Sequence, residues 1–333
     1  MMDKKGFEVQ FNWIFVLVAG AAIILFFTVV VVKQKSVSET STKATVLKNI
    51  ESIITGASVS TDTTNIIDIP NSDIEVSCGR VSIGGVSKQY QNLVLFAPSL
   101  IKGSKLVTQT LAFNAPYRAA NLLYITSPQI RYVIVGNNNL AKEINKSMPS
   151  ELKKELYQSM PEIKNLNNYR IRFVFFDNIA NFPKALEKLP DLDVTAVRIS
   201  GDAEKGAIEF WQKQNSLWAS KGTSFYIGKQ SLLGAIYSDS IELYECNMQN
   251  VFSRLSLVTK VYAERAKKLT EGAVSVRQFQ CNQFYSNAIT QFNRISAASS
   301  DFNRQNIDAI SDSAKLLSNE NRNVQISSCT LIY

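Results

Sequence analysis

WIFVLVAGAAIILFFTVVVV, residues 13–32, decides how the rest of the chain is read. Twenty residues pass without a charge, and Thr28 is the single polar side chain among those after Trp13. At 1.5 Å per residue they cover a hydrocarbon core of about 30 Å. Trp13 opens the run as an interfacial anchor and Val32 closes it, with Lys4 and Lys5 before it and Lys33 and Lys35 after it. A removed secretory signal would carry a shorter apolar core and a small-residue cleavage site, and residues 33–38 offer none. The expectation is a retained single-pass anchor, residues 1–35, in contact with the lipid bilayer from Trp13 to Val32. Two lysines at each end leave the orientation open, since Asp3 and Glu8 dilute the first pair.

Working outward, residues 36–63 begin Ser/Thr-rich and then place Val46, Leu47, Ile50, Ile53 and Ile54 at helical spacing, which predicts a short stalk leading into an amphipathic helix. Residues 64–230 hold short β-prone runs, among them NIIDIP, DIEVSC, NLVLFAP and NLLYITS, cut by glycines and prolines. RVSIGGVSKQY predicts a hairpin turning on Gly84 and Gly85. From Arg131 the pattern becomes RYVIVG, a helical stretch to about Met160, IRFVFFD, a short helix around Pro183 to Leu189, and VTAVRISG. Near-continuous apolar strands alternating with helices predict a small parallel βαβαβ unit. Residues 231–333 carry three stripes at three- and four-residue steps: Val251 to Leu269, Cys281 to Ile295, and Ile307 to Leu317. The expected fold class is therefore α+β: an N-terminal transmembrane helix, a β-rich region, a small α/β region and a C-terminal helical bundle.

The chain of 333 residues is 45% hydrophobic and carries a net charge of +8, with no histidine. Serine-histidine and cysteine-histidine nucleophile pairs, imidazole zinc sites and HExxH chemistry are excluded on that ground. No cofactor is expected, because GNNNLAKEI after Val135 has one glycine and no lysine-serine/threonine pair, and reads as an asparagine-rich turn and cap. Asp177 and Asp202, at the carboxyl ends of successive strands, are the candidate ligand edge, with helix capping as the plainer reading. The basic residues over 142–154 and 254–268 lack interleaved aromatics and read as solvated helix faces, so no nucleic-acid partner is expected. Phe210, Trp211, Trp218, Phe225 and Tyr226 mark either a recognition edge or sheet core, with core favoured. Asn145 opens an Asn-Lys-Ser sequon, a possible glycosylation site.

Cys78, Cys246, Cys281 and Cys329 all follow the apolar segment, and none lies in a CxxC pair. An even, scattered set in an anchored chain reads as two disulfides in an oxidising space; buried free thiols are the rival. Pairing Cys246 with Cys281 is awkward if their helices turn near Gly272, because the offset along the helices is on the order of 25 Å. Cys281 with Cys329 is easier, which leaves Cys78 for Cys246.

The opening MMDKKGFEVQFNWIFVLVAGAA resembles the class III, prepilin-like signal of archaeal surface proteins and type IV pilins. The matching residues are Lys4, Lys5 and Gly6 before Phe7; the family's usual glutamate at the fifth position after the cut is Phe11 here, with Glu8 out of register. The same start before a long ectodomain resembles a group of uncharacterised archaeal single-pass membrane proteins. These resemblances cover about the first thirty residues and imply no activity. The expected function is binding or assembly at the cell surface, with a protein partner there and no catalysis, by an anchored protein whose C-terminal ectodomain is extracytoplasmic. The alternatives are a pilin-like or secretion-apparatus subunit processed after Gly6, and a small-ligand-binding or enzymatic α/β ectodomain.

Overall fold

The computed structural model describes residues 5–90, 94–164, 170–275 and 278–333. The first element is one uninterrupted helix, α1 (Lys5–Val59), 55 residues long and so about 82 Å from end to end. A separate stalk was expected ahead of the amphipathic helix. Instead the Ser/Thr stretch is helical throughout, because no glycine or proline stands between Gly20 and Gly56 to stop it. Hydroxyls that would compete with the backbone turn back onto it: Thr45 donates to Ser41 O at 3.0 Å and Thr55 to Glu51 O at 2.9 Å. Residues Phe15–Lys35 form a segment long and apolar enough to cross a membrane, with mean hydropathy 3.0 and no part of it buried by the rest of the chain.

The far half of α1 lies on the β-rich region. Val46, Leu47 and Ile50 are buried among Ile74, Val76, Val81, Ile83, Leu106 and Leu123. The strands there are β1 (Thr63–Asp68), β2 (Ile74–Ser77), β3 (Arg80–Ile83), β4 (Val86–Gln89), β5 (Leu95–Phe96), β6 (Leu100–Ile101), β7 (Lys105–Asn114) and β8 (Arg118–Thr126). They form two four-stranded sheets, ordered β4-β3-β2-β6 and β1-β7-β8-β5. The β3–β4 turn is Gly84–Gly85 as expected, both at positive φ (51° and 86°), a conformation that suits glycine and matches the strand twist.

The third sheet has six strands in the order β10-β9-β11-β12-β13-β14: β9 (Ile130–Val135), β10 (Lys153–Tyr157), β11 (Arg170–Phe175), β12 (Val194–Gly201), β13 (Lys205–Gln214) and β14 (Leu217–Ile227). The first four are parallel and the last two antiparallel. Helix α2 (Asn139–Ser147) crosses from β9 to β10. The helical stretch predicted to about Met160 therefore ends at Ser147, and KKELY is the edge strand β10. The short helix expected around Pro183 to Leu189 is a single 3-10 turn, Lys184–Leu186. One sheet face is covered by the helices. The other buries Phe173, Phe175 and Ala196 under Ile163, Phe182 and Leu186, with Trp211 and Trp218 packed against them. Trp218 meets Phe182 edge-on at 5.1 Å and donates its indole N–H to Ala180 O, so these tryptophans serve the core.

The helices α3 (Gly228–Tyr237), α4 (Ile241–Ser275), α5 (Phe279–Ala298) and α6 (Arg304–Ile326) complete the chain. Gln249 donates to Ser300 O and Ser256 meets Ser296, a register that makes α4 and α5 antiparallel. The three predicted stripes supply their contacts, with Val251, Leu255, Ala266, Phe292, Ile295, Ile310 and Leu317 all buried. One continuous set of buried side chains runs from Val94 through the six-stranded sheet to Ile332. Two cysteine pairs stand at bonding distance, Cys78 with Cys246 (Cα–Cα 6.0 Å) and Cys281 with Cys329 (5.8 Å), the pairing that the spacing favoured. The first ties the β2–β3 turn to α4; the second ties α5 to the C-terminal segment.

Candidate functional site

The parallel strands change direction of growth at β9, since β10 is added on one side of it and β11 on the other. At such a switch point the connections leave the carboxyl ends in opposite directions and a crevice opens between them. Here it is lined by Asn138, Phe176, Asp177, Asn178, Arg198, Ile199, Ser200 and Gly201, and encloses about 270 Å³.

Each wall has a local cause. Gly136 follows β9, and a Cβ there would stand 2.7 Å from Phe176 Cβ and 3.4 Å from Ala141 Cβ, so only glycine lets β9, Phe176 and α2 meet. Asn138 caps α2, its Oδ1 accepting the Ala141 N–H at 2.8 Å. Asp177 and Asn178 are exposed, and Asp177 makes no hydrogen bond or ion pair among the described residues. Arg198 interrupts the apolar run of β12 and pairs with Glu209 of β13, Nε donating to Oε2 at 2.9 Å. That pairing holds the guanidinium beside the crevice floor and pushes its pKa up.

A second hollow of about 360 Å³ adjoins it across Ser200 and Gly201, lined also by Asp202, Lys205, Phe225, Arg304 and Asp308. Asp202 shapes this wall from within. Its Oδ1 accepts the Glu204 and Lys205 amides at 2.8 and 3.1 Å, and those donors hold its pKa below the ordinary carboxylate value. Tyr226 donates to Asp202 O at 2.6 Å and Lys205 pairs with Asp308 at 2.6 Å. The two aspartates therefore stand on either side of the Ser200–Gly201 ridge, in different states: Asp177 is free to meet a ligand, whereas Asp202 is engaged by its own turn.

Asn145 lies in the last turn of α2, half-buried, with its carbonyl accepting Lys154 Nζ at 2.6 Å. Among the described residues no group of three or more Cys, Asp or Glu side chains is arranged to hold a metal ion. The sequence reading missed Arg198, the cue being a charge inside an apolar strand, and Arg172. Arg172 is 3% exposed, and its guanidinium donates to the carbonyls of Ala235 (2.9 Å), Ile236 (3.2 Å) and Ser238 at the end of α3. Burial lowers its pKa to about 10, still far above neutrality, so it stays charged and neutralises the helix end. Compared with family models, with curated proteins and with solved structures, the chain matches none.

Proposed function

We propose that the protein is a single-pass membrane protein whose disulfide-braced head lies outside the cytoplasm and binds a partner or ligand there, without catalysis. One observation carries this reading: a bare apolar span, Phe15–Lys35, runs without a break into a helix whose far half packs through Val46, Leu47 and Ile50 on a head with two cysteine pairs at bonding distance. An apolar segment that touches nothing in its own chain needs lipid or another apolar partner around it. Cysteine pairs so placed form and persist in oxidising compartments. The crevice beside Asp177 is the recognition site of this reading: a concave, polar, glycine-walled pocket with an uncommitted carboxylate and an oriented guanidinium. The test is labelling of intact cells with a membrane-impermeant thiol reagent, with and without prior external reduction. Labelling only after reduction supports the outward, oxidised head; labelling only after lysis, with no reductant needed, refutes it.

A second reading, a pilin-like or secretion-apparatus subunit processed after Gly6, draws support from the same rod. An apolar half that projects bare from a head packed on the polar half is the shape a subunit needs to bundle with its copies. Lys4 lies outside the described residues. Mass measurement of the mature N-terminus separates the readings: a start at Phe7 supports processing, and an intact N-terminal segment rejects it.

A further inference from the structure

We propose that the head is held close above the bilayer that holds α1, with the β3–β4 turn and the segment after β6 facing the lipid headgroups across less than a Debye length. The proposal rests on the retained-anchor reading. Because α1 is a single helix, height above the membrane can be counted in residues. The apolar span ends at Lys35, and Lys43 is eight residues further, about 12 Å along the axis. Side chains on a helix lean toward its N-terminus, here toward the membrane, so the Lys43 ammonium sits at or below the height of its own Cα. That ammonium donates to Gly84 O at 3.4 Å, and a Cβ on Gly84 would lie 2.6 Å from Lys43 Cε, so the turn is pressed against the helix at this height.

A second contact gives the direction. Lys88 pairs with Glu51. Between the two contacts the helix advances eight residues, about 12 Å, and the strand advances four, about 13 Å. β4 therefore runs along the axis of α1 with the Gly84–Gly85 turn toward the membrane. Register carries that level across the sheet, since Val86 pairs with Ile83, Ile83 with Ile74, and Ile74 with Ile101. Lys102, one residue beyond this row, projects from the same end, exposed, its ammonium without a partner among the described residues. Lys105 follows and meets Asp68 loosely at 3.7 Å.

The headgroup layer adds roughly 5–7 Å outside the hydrocarbon on each side. The gap left below the turn is then about 5–7 Å, less than the Debye length of about 8 Å at physiological salt. Asp68 and Asp73 stand at this end too, and Glu39 lies on α1 between Lys35 and Lys43, but the five lysines Lys33, Lys35, Lys43, Lys102 and Lys105 outnumber these three acids, which favours an anionic surface.

The experiment places photoreactive p-benzoylphenylalanine at Gly85, at the exposed tip of the β3–β4 turn, or at Lys102 in the full chain, reconstituted in vesicles of phosphatidylcholine and phosphatidylglycerol, and reads crosslinking to lipid. Asp62, beyond the far end of α1, is the distal control, and Phe26, inside the span, reports insertion. The expected result is crosslinking at Gly85 and Lys102 roughly tenfold above Asp62, since Asp62 follows the end of α1, which stands about 36 Å above Lys35. If Phe26 crosslinks but Gly85 and Lys102 do not exceed Asp62, the head stands clear of the bilayer and the proposal is overturned. If Phe26 itself fails to crosslink, the anchor reading falls, and this proposal with it.

Discussion

Opening the Cys281–Cys329 bridge should cost the folded head about 4 kcal/mol, and opening Cys78–Cys246 about 5. The values follow from the loops each closes, with sequence separations of 48 and 168, through the chain-entropy relation, which gives about 14 and 17 cal/mol/K. The effect belongs to the unfolded chain, because the C-terminal segment keeps its other contacts once the bridge is gone. Tyr285 still donates to Thr330 O at 2.9 Å, the Ile332 N–H still donates to Asn321 Oδ1 at 2.9 Å, and Tyr333 still meets the Tyr117 and Tyr262 rings edge-on. For about 300 folded residues the unfolding entropy is about 0.6 kcal/mol/K, so the melting temperature should fall by about 6 °C for the Cys281→Ser/Cys329→Ser pair and about 8 °C for Cys78→Ser/Cys246→Ser. The assay is thermal unfolding of the full chain in detergent, followed by circular dichroism, with the oxidised state of the parent checked by intact mass. Shifts under 1 °C in both variants, from a parent shown to be fully oxidised, would refute the reasoning, and a reversed order would refute the loop-length part of it.

Arg172→Met should destabilise by about 3 kcal/mol or more in chemical denaturation, because three carbonyls at the end of α3 lose their donor in a dry site; Arg172→Lys should recover little, since one ammonium cannot reproduce the planar fork. Gly206→Ala should cost about 2–4 kcal/mol, its new methyl meeting Ser200 O and the Tyr226 ring, while Gly85→Ala, with nothing within 4 Å and φ at 86°, should cost only about 1 kcal/mol in the same assay. The folded pKa of Asp202 lies below the free value of 3.8, so the stability it lends to the β12–β13 turn is full above that pH and is lost as the pH falls through the folded value. Hydrogen exchange at Glu204 and Lys205, corrected for intrinsic rates, should accelerate below about pH 4 in the parent and lose that dependence in Asp202→Asn, whose amide oxygen still accepts both bonds.

Several elements were legible because one local rule decided each. Twenty uncharged apolar residues name a membrane-length helix, two glycines between alternating strands name a turn, and helical spacing names the three stripes. The cysteine pairing was legible because helix rise is a ruler, and it made Cys246 with Cys281 the awkward choice. β10 was hidden because Leu152 and Leu156, four residues apart, mimic a helix stripe, whereas an edge strand half in solvent lacks a clean alternation. The continuity of α1 was hidden by its Ser/Thr content, which reads as a linker, whereas no glycine or proline stands between Gly20 and Gly56 to stop the helix. Arg172 was invisible because a charge in an apolar strand predicts exposure, and only the packing of α3 over β11 supplies the carbonyls that bury it. Of the crevice, the sequence offered Asp177 and Asp202 as one edge. Separating an available carboxylate from one held by its own turn needed the hydrogen bonds around each.

The two readings of α1 differ in what surrounds its apolar half, and the chemistry of that half bears on the choice. A helix in hydrocarbon must satisfy its own polar groups, and α1 does so: the backbone is regular from Lys5 through Val59, and Thr28 returns its hydroxyl to Ile24 O at 2.7 Å. No charge stands between Trp13 and Lys33 that would require a neighbouring helix to neutralise it. Lipid alone therefore meets every requirement of the span. A bundled subunit gains from packing its apolar half against copies, but a side chain that makes such packing obligatory, a buried acid or a polar ladder, is absent from residues 13–32. The balance favours the proposed single anchor over the proposed bundled subunit, with the head packed on the helix through Val46, Leu47 and Ile50.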